Sequence, residues 1–355
     1  MPTLFDPVTL GDLQLPNRVL LAPLTRCRAN IPVRVPTTLM AEYYSQRASA
    51  GLIFSEATSV DLMGVGYKDT PGIWSEAQVE GWRRITTAVH AARGTMLLQL
   101  WHVGRISDPI YLNGELPVAP SAIAASGHVS QVRPLKPFVT PRALETSEIP
   151  GVVAAFARAA ANAKAAGFDG VEIHGANGYL LDQFLQDSTN KRTDAYGGSI
   201  ENRARLTLEI ADACIAFWGA GRVGMHLSPR CDMHAMGDTS PASDFGYVAR
   251  ELGKRKLAFL CARESQSSTW LGPQLGRAFK EAGGGGYIAN EGFTAESAAA
   301  VLASGEVDAI AFGKAFLANP DLPRRFKEIA PLNPPRPELF YGPGAEGYTD
   351  YPPLD

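Results

Sequence analysis

The sequence predicts an α/β protein folded as a (β/α)8 barrel, and two observations support this. Short apolar runs with many β-branched residues alternate with longer segments in which apolar residues recur at helical spacing. The 355 residues contain eight such runs, and apolar residues at consecutive positions are typical of parallel strands buried on both faces. A doubly wound sheet shows the same alternation, but the count of eight and the lack of a midpoint linker favour a single barrel domain over residues 1–355.

The elements follow one another in a regular order along the chain. The predicted strands are 19–23, 52–57, 95–101, 170–175, 222–228, 257–262, 287–290 and 307–313. Between them, helical spacing is clearest at 37–49, 76–92, 148–166, 200–217, 294–303 and 316–329. Capping residues mark the helix starts, for example Ser75 before Glu76 and Thr294 two residues before Glu296.

Two connections are longer than ordinary loops. Residues 102–147 follow the third strand and are rich in Pro, Ser and Gly. Residues 331–355 form a Pro/Gly-rich tail that also carries several aromatic side chains. Connections of this length in a compact domain are usually functional or disordered. The aromatic content of the tail favours packing near a site over disorder.

Composition and charge exclude several classes of protein. Lys and Arg total 33 against 36 Asp and Glu, a net charge of −3 with no basic block, so neither nucleic acid nor a membrane surface is an expected partner. No apolar run approaches the roughly 20 residues that span a bilayer, and the first residues lack a signal-peptide pattern. The four cysteines lie far apart, which predicts reduced thiols in a cytoplasmic enzyme and argues against a disulfide scaffold and a zinc site. The sequence leaves monomer and homodimer open.

In a barrel of this kind the active site lies at the carboxyl ends of the strands. The residues predicted there are Pro23, Leu24, Thr25, Glu56, Ala57, Gln99, Trp101, His102, His174, Asn177, Tyr179, His226, Asn290, Gly313 and Lys314. This set has no carboxylate pair, nucleophile elbow or metal cluster. It suits a phosphorylated ligand with a flat aromatic part, since Gly313 lets the backbone approach a phosphate and Lys314 can neutralise it. No GxGxxG motif follows a strand, so a nicotinamide coenzyme would have to share this pocket.

Six blocks of sequence, in order and spread over nearly the whole chain, resemble the Old Yellow Enzyme family of FMN-dependent ene-reductases. The most specific block is IHGANGYLLDQFL, followed by NKRTDAYGGSIENRARL. The others are NRVLLAPLTR, MAEYYSQRASAGLIFSEA, QLWHVGRIS, DAIAFGKAFLANPDLPRRF and GAEGYTDYP. Thr25 after Pro-Leu is typical of one branch of the family, and within that branch the chain is most similar to the bacterial N-ethylmaleimide and pentaerythritol tetranitrate reductases.

The resemblance implies that FMN binds non-covalently across the mouth of the barrel. The residues expected to contact its ring are Pro23, Leu24, Thr25, Ala57 and Gln99. The residues expected to hold its phosphate end are Asn290, Glu291, Gly292, Gly313 and Lys314. NADPH or NADH would deliver a hydride above the flavin. An α,β-unsaturated carbonyl compound, a maleimide or a nitro compound would then take the same place in a ping-pong reaction.

The resemblance also implies the catalytic roles. His174 and Asn177 would donate hydrogen bonds to the substrate oxygen and stabilise negative charge there, and Tyr179 would give a proton to the α-carbon. The spacing agrees with this division, because His174 ends the fourth strand and Asn177 lies in the loop that follows it. The expected aromatic walls of the substrate pocket are Tyr67, Trp101 and Tyr351.

Two positions depart from the family's pattern. An arginine usually stands in the fifth strand and reaches the N1/O2 edge of the flavin, whereas this chain has His226, which is shorter and is charged only part of the time near neutral pH. The usual arginine after the glycine of the eighth strand is Lys314, which keeps the charge but loses bidentate geometry. Residues 229–270 match the family poorly, and no pocket residue is assigned there.

Two other functions stay open on the sequence. A phosphate-handling lyase or isomerase would need a lysine or a carboxylate base at a strand end. Glu56 and Glu172 are present, but we expect Glu172 to face away from the lumen. A non-catalytic flavin-binding barrel is the second alternative, and the change at His226 keeps it open.

Overall fold

In the computed structural model, which describes residues 1–266 and 269–355, eight parallel strands close into a barrel. The strands are β1 Val19–Leu21, β2 Ile53–Phe54, β3 Met96–Trp101, β4 Gly170–Gly175, β5 Val223–Leu227, β6 Phe259–Arg263, β7 Gly286–Asn290 and β8 Ala309–Phe312. Each strand pairs with the next one in the chain, and the pairing of β8 with β1 completes the ring. Every predicted strand is therefore present, and the predicted barrel is confirmed.

Helices connect the strands and form the outer layer. They are α1 Thr38–Gln46, α2 Glu76–Ala91, α3 Ile149–Ala165, α4 Leu180–Leu185, α5 Ile200–Trp218, α6 Pro241–Lys254, α7 Gly272–Glu281, α8 Ala295–Ala303, α9 Lys314–Ala318 and α10 Leu322–Glu328. Short 3₁₀ turns lie at Leu62–Gly64, Pro109–Tyr111, Thr146–Glu148, Ala220–Arg222, Met233–Ala235 and Pro337–Leu339. The predicted cap of α2 is a reciprocal one, in which Ser75 Oγ accepts from Gln78 N at 3.3 Å and Gln78 Oε1 accepts from Ser75 N at 3.1 Å.

One predicted helix is wrong in its extent. The segment 316–329 forms two helices, α9 and α10, instead of one. The break falls at Asn319, which precedes Pro320, and a residue before proline is disfavoured in the helical region. A second proline, Pro323, lies in the first turn of α10, where its missing N–H costs no hydrogen bond.

The amino-terminal end of the barrel is closed by apolar packing. An antiparallel hairpin, Val8–Leu10 with Leu13–Leu15, covers this end. Leu10, Leu13 and Leu15 belong to the same buried cluster as Phe259 and Ile288 in the barrel interior. A ligand of the barrel must therefore approach from the carboxyl ends of the strands.

The two long connections are both ordered against the barrel. The loop after β3 contains a short parallel pair, Val118–Ala119 with Arg142–Ala143. The tail is held by arginine side chains that bond its carbonyl oxygens. Arg26 donates to Gly347 O at 2.6 Å and to Phe340 O at 3.1 Å, and its guanidinium lies 4.9 Å from the centre of the Tyr348 ring. Among the described residues, the helices are all too short or too polar to cross a membrane.

Candidate active site

A cavity of about 650 Å³ lies at the carboxyl ends of the barrel strands. The predicted residues that line it are Pro23, Leu24, Thr25, Ala57, Gln99, Trp101, His174, Asn177, Tyr179, His226, Asn290, Glu291, Gly292, Gly313 and Lys314. The barrel thus brings together side chains that lie nearly 300 positions apart in the sequence. Two of the expected aromatic walls, Tyr67 and Tyr351, lie outside this lining.

His174, the fifth residue of β4, presents a neutral N–H donor to the cavity. Its Nδ1 accepts a hydrogen bond from the backbone N–H of Ala176 at 3.3 Å, so the ring proton sits on Nε2. Burial, together with the charges of His226 and Arg263, holds the pKa of His174 well below 6.5. The ring stacks on Trp101, with 6.3 Å between the ring centres, which fixes its plane.

Asn177 is held in a left-handed turn directly after β4. Its φ is +58°, and that of Gly178 is +77°. The backbone N–H of Asn177 donates to Ser228 Oγ at 2.6 Å, and its carbonyl oxygen lies 3.1 Å from His234 Nδ1. The side-chain Oδ1 accepts from Arg263 Nη1 at 2.8 Å. The backbone and the amide group are therefore fixed by separate contacts.

Tyr179 lies at the start of α4, among other aromatic rings. Its ring centre is 5.1 Å from that of His174 and 5.0 Å from that of Trp101. Its hydroxyl is 2.8 Å from the hydroxyl of Tyr67. Burial and the neighbouring Tyr67 raise the pKa of Tyr179 well above 10, so the phenol keeps its proton at neutral pH. Tyr67 is thus a hydrogen-bond partner of Tyr179 and is not among the residues that line the cavity.

The expectation that Tyr351 forms a wall of the substrate pocket does not match the structure. Tyr351 is 5% exposed and packs with Leu317, Ala318 and Phe340. Its hydroxyl accepts a hydrogen bond from the backbone N–H of Arg336 at 2.9 Å. The ring therefore anchors the tail to α9, while two earlier tail residues, Phe340 and Tyr341, reach the cavity.

His226, in β5, lies beside a buried carboxylate. Its Nδ1 is 3.3 Å from Glu172 Oε1, without the geometry of a hydrogen bond, and neither ring nitrogen has a hydrogen-bond partner among the described residues. Glu172 also accepts from Gln99 Nε2 at 2.7 Å. The expectation that Glu172 faces away from the lumen is wrong, because residues 172 and 174 are two apart on a strand and point to the same face.

A group with metal-binding side chains lies below the cavity. Ligand atoms of Glu172, His226 and Cys261 all lie within 4.8 Å of one another, and all three residues are buried. Burial and the charge of Glu172 raise the pKa of the Cys261 thiol well above 9.0. Because the thiolate is the form that binds metals, the protonated sulfur is a poor ligand.

The opposite side of the cavity fits the phosphate end of a flavin nucleotide. A Cβ atom at Gly292 would meet no heavy atom within 4 Å, and one at Gly313 would meet only Leu24, at 3.5 Å. The cavity therefore has open space against both backbones, and Lys314 adds a cation beside it. Asn290 donates to Ala311 O at 2.7 Å, and within the described part of the chain no donor bonds its amide oxygen. On the ring side, the unpartnered nitrogens of His226 suit the polar edge of the pyrimidine.

Several lining residues were missed by the sequence analysis. Among them are Arg26, Met233, Arg263, Phe293, Phe340 and Tyr341. Arg263 is the last residue of β6, so the rule that strand ends face the site could have found it. It was passed over because residues 229–270 match the family pattern poorly. Phe340 and Tyr341 carried no comparable signal, since only the folded tail shows which of its aromatic rings turn inward.

Comparison with known proteins shows the family of the chain. Residues 3–333 match the NADH:flavin oxidoreductase / NADH oxidase family. The chain belongs to this family. It is 43% identical to the flavin oxidoreductase hxnT of Emericella nidulans, over 98% of this chain and 97% of that protein. It is also 43% identical to 12-oxophytodienoate reductase 1 of Oryza sativa subsp. japonica, over 99% of this chain and 93% of that protein.

Solved structures of the family agree in fold. A structure of morphinone reductase with tetrahydroNAD superposes with a TM-score of 0.94 at 48% identity, covering 100% of this chain and 98% of the other. The structure of the old yellow enzyme homologue from Zymomonas mobilis superposes with a TM-score of 0.95 at 45% identity, covering 99% of this chain and 100% of the other. This Old Yellow Enzyme family member is an NAD(P)H-dependent flavin ene-reductase with FMN as its cofactor. The lyase and the non-catalytic barrel are thereby set aside.

Proposed function

We propose that the 650 Å³ cavity binds the nicotinamide coenzyme and an electron-poor alkene in turn, in a ping-pong reaction. The substrate classes are α,β-unsaturated carbonyl compounds, maleimides and nitro compounds. The support is that one cavity carries the flavin-facing residues and the hydrogen-bond donors together. Among relatives, 12-oxophytodienoate reductase and morphinone reductase are named for substrates of the first class.

The observation that carries this proposal is the tautomer of His174. Because the Ala176 N–H occupies Nδ1, the Nε2–H is the group left to donate. A second donor comes from the amide nitrogen of Asn177, whose oxygen is engaged by Arg263. Two donors that converge on one substrate oxygen lower the energy of the negative charge that develops there as hydride reaches the β-carbon. A neutral histidine suits this role, since it cannot lose its donor proton at moderate pH.

Tyr179 supplies the remaining proton in this proposal. FMN, when bound by the residues assigned to it, would supply the two-electron hydride chemistry that links the nicotinamide and the alkene. Tyr179 lines the same cavity as the residues assigned to the flavin and is protonated at neutral pH, so its phenol can protonate the α-carbon as a general acid. The Tyr67 hydroxyl, 2.8 Å away, can stabilise the charge left on the phenol oxygen.

We assign FMN contacts to residues of the cavity lining. Pro23, Leu24, Thr25, Ala57, Gln99 and His226 would contact the ring, and Asn290, Glu291, Gly292, Gly313 and Lys314 would hold the phosphate end. For Glu291 the backbone is the contact, because its carboxylate is paired with Arg263 at 2.9 Å. For Gln99 one amide hydrogen is already donated to Glu172, so its oxygen and second hydrogen remain for the flavin.

At the level of the whole chain, we propose one FMN-binding domain over residues 1–355, acting in the cytoplasm as a monomer or homodimer without nucleic-acid partners. The tail supports a single domain, because the bonds from Arg26 join it to the first barrel loop. The net charge of −3 supports the absence of nucleic acid.

The test begins with the visible spectrum of the purified protein. We expect a yellow protein that releases FMN on denaturation. Under anaerobic conditions NADPH or NADH should bleach the flavin, and 2-cyclohexenone, N-ethylmaleimide or a nitroalkene should restore its colour. Saturated cyclohexanone is the matched control and should leave the bleached spectrum unchanged. Reoxidation by none of the alkenes would refute the proposed substrate class.

A further inference from the structure

Arg263, at the end of β6, bridges two groups of the cavity lining. Its Nη1 donates to Asn177 Oδ1 at 2.8 Å, and its Nη2 donates to Glu291 Oε1 at 2.9 Å. Nη1 also lies 3.3 Å from Met233 Sδ. The side chain of Arg263 is 31% exposed and that of Glu291 is 39% exposed, so the pair sits at the rim. The end of β6 thus reaches past the neighbouring strand β5 to the loop that follows β4.

The contact decides which way the Asn177 amide points. An asparagine amide has an acceptor oxygen and a donor nitrogen that differ little in size, so only hydrogen bonds distinguish its two orientations. A guanidinium carries donors alone and can bond only the oxygen. In the part of the chain that the structure describes, the amide nitrogen of Asn177 has no acceptor. The donor end is therefore the end left for a ligand.

The backbone of Asn177 does not depend on this contact. Its N–H is bonded to Ser228 Oγ at 2.6 Å, and Ser228 Oγ lies 3.4 Å from Asp182 Oδ2. Asp182 also accepts a hydrogen bond from the Gly178 N–H at 2.8 Å, so Ser228 and Asp182 together hold the backbone of the turn. Loss of the Arg263 side chain should leave the turn in place and free only the amide to rotate.

We propose that Arg263 is a positioning residue for the substrate oxygen, because it holds the Asn177 amide with its N–H groups directed at the ligand. Glu291 in turn holds Arg263, through the second guanidinium nitrogen. This inference rests on the proposed role of Asn177 as a hydrogen-bond donor. It adds a residue from β6 to the group that binds the substrate oxygen, which the sequence assigns to β4 and the loop after it.

The experiment is a double-mutant cycle on the FMN-loaded enzyme with p-chlorophenol as the probe. A phenolate mimics the oxyanion, and its binding is followed by a long-wavelength charge-transfer band. Arg263→Met removes the donors while keeping an extended side chain. We expect it to weaken phenol binding about tenfold, because the charge-assisted hydrogen bond that holds the Asn177 amide with its N–H groups towards the phenol is lost. In an Asn177→Ala background the same change should alter the dissociation constant less than twofold.

Comparison of the two backgrounds distinguishes an orienting role of Arg263 on the Asn177 amide from simple attraction between the Arg263 charge and the phenolate. If Arg263 acted only as a cation for the phenolate, Arg263→Met would weaken binding equally in the wild-type and the Asn177→Ala backgrounds, and that result would overturn the proposal. Arg263→Lys keeps the charge and one donor group and should lie between the wild type and Arg263→Met; binding no better than that of Arg263→Met would also contradict the proposal. If Asn177→Ala alone left phenol binding unchanged, the donor role of Asn177 would itself fail, and both proposals would fall.

Discussion

The rim after β4 and the rim formed by β5 and β6 contribute to the same cavity in different ways. At β4, His174, Asn177 and Tyr179 lie within six residues and take their positions from a local turn with two left-handed residues. At β5 and β6, the two side chains meet residues of β4 and its loop: His226 lies beside Glu172, and Arg263 bonds Asn177. The first rim holds the proposed catalytic groups, and the second fixes their orientation and their surrounding charge.

The difference has a physical cause. The turn after β4 takes much of its shape from neighbouring residues, through its two left-handed residues and the bond from the Gly178 N–H to Asp182, although Ser228 also bonds the Asn177 N–H. A contact between strands requires the barrel to close in the right register, and it can be changed by a substitution far away in the chain. We therefore expect substitutions at β4 to slow the reaction directly and strongly. Substitutions at β5 and β6 should have weaker effects, on ligand and FMN affinity and on the flavin midpoint potential.

The largest expected effect is the loss of both oxygen-binding donors at β4. His174→Ala combined with Asn177→Ala should lower enone turnover by about 10³-fold, since one preorganised donor is worth about 10²–10³-fold and paired donors are not additive. FMN content and the unfolding temperature should change little, because the backbone bonds of the turn remain. The measurements are single-turnover reoxidation by 2-cyclohexenone and titration with p-chlorophenol. A charge-transfer band of undiminished strength would contradict the assignment.

The next effect concerns the proton donor. Tyr179→Phe should slow enone reoxidation by about 10²-fold, in line with the usual contribution of a general acid, and leave flavin bleaching by NADPH nearly unchanged. In the wild type, deprotonation would remove the donor, so the rate should fall with rising pH only above the pKa of Tyr179. Because burial raises that pKa well above 10, the rate should stay level between pH 7 and 9.

Two comparisons sharpen that prediction. Nitroalkenes should suffer less from Tyr179→Phe, because the reduced product is a stable anion that water can protonate later. Tyr67→Phe keeps the ring contact with Trp101, at 5.3 Å between centres, and removes only the hydroxyl beside Tyr179, so it should slow enones by a few-fold. Equal losses for enones and nitroalkenes, or in bleaching and reoxidation alike, would indicate a structural role for Tyr179.

The same contrast explains what could be predicted from sequence. The eight strands follow from apolar runs, and the β4 residues follow from a local motif, so both could be placed without coordinates. The bonds Tyr67–Tyr179, Arg263–Asn177 and Gln99–Glu172 join residues 73 to 112 positions apart, and no local pattern encodes them. Tyr351 was misplaced for a related reason. Its burial depends on where the tail packs against α9. That position is set by arginine–carbonyl hydrogen bonds that form only in the folded chain.

A smaller effect than the loss of either catalytic group is expected at β5, where His226 stands in the place expected of a flavin-contacting arginine. His226→Arg should tighten FMN binding roughly tenfold, since a charge-assisted hydrogen bond contributes about 1.5–3 kcal/mol. It should also raise the flavin midpoint potential, because negative charge collects at the pyrimidine edge on reduction and a fixed cation stabilises it. Glu172, 3.3 Å from the imidazole, is already placed to pair with the guanidinium. FMN titration of the apoprotein and dye-linked potentiometry measure the two quantities.

A matched variant separates charge from hydrogen bonding at this position. His226→Gln offers a hydrogen-bond donor without a fixed charge and should keep both the FMN affinity and the potential close to the wild type. The Arg and Gln variants should therefore differ from each other, although both replace the ring that stacks on His174 at 5.9 Å. If both shift the potential and the affinity equally, the loss of that stacking is the cause. If neither shifts them, a different group serves the N1/O2 edge, and the β5 rim has no part in setting the flavin's potential.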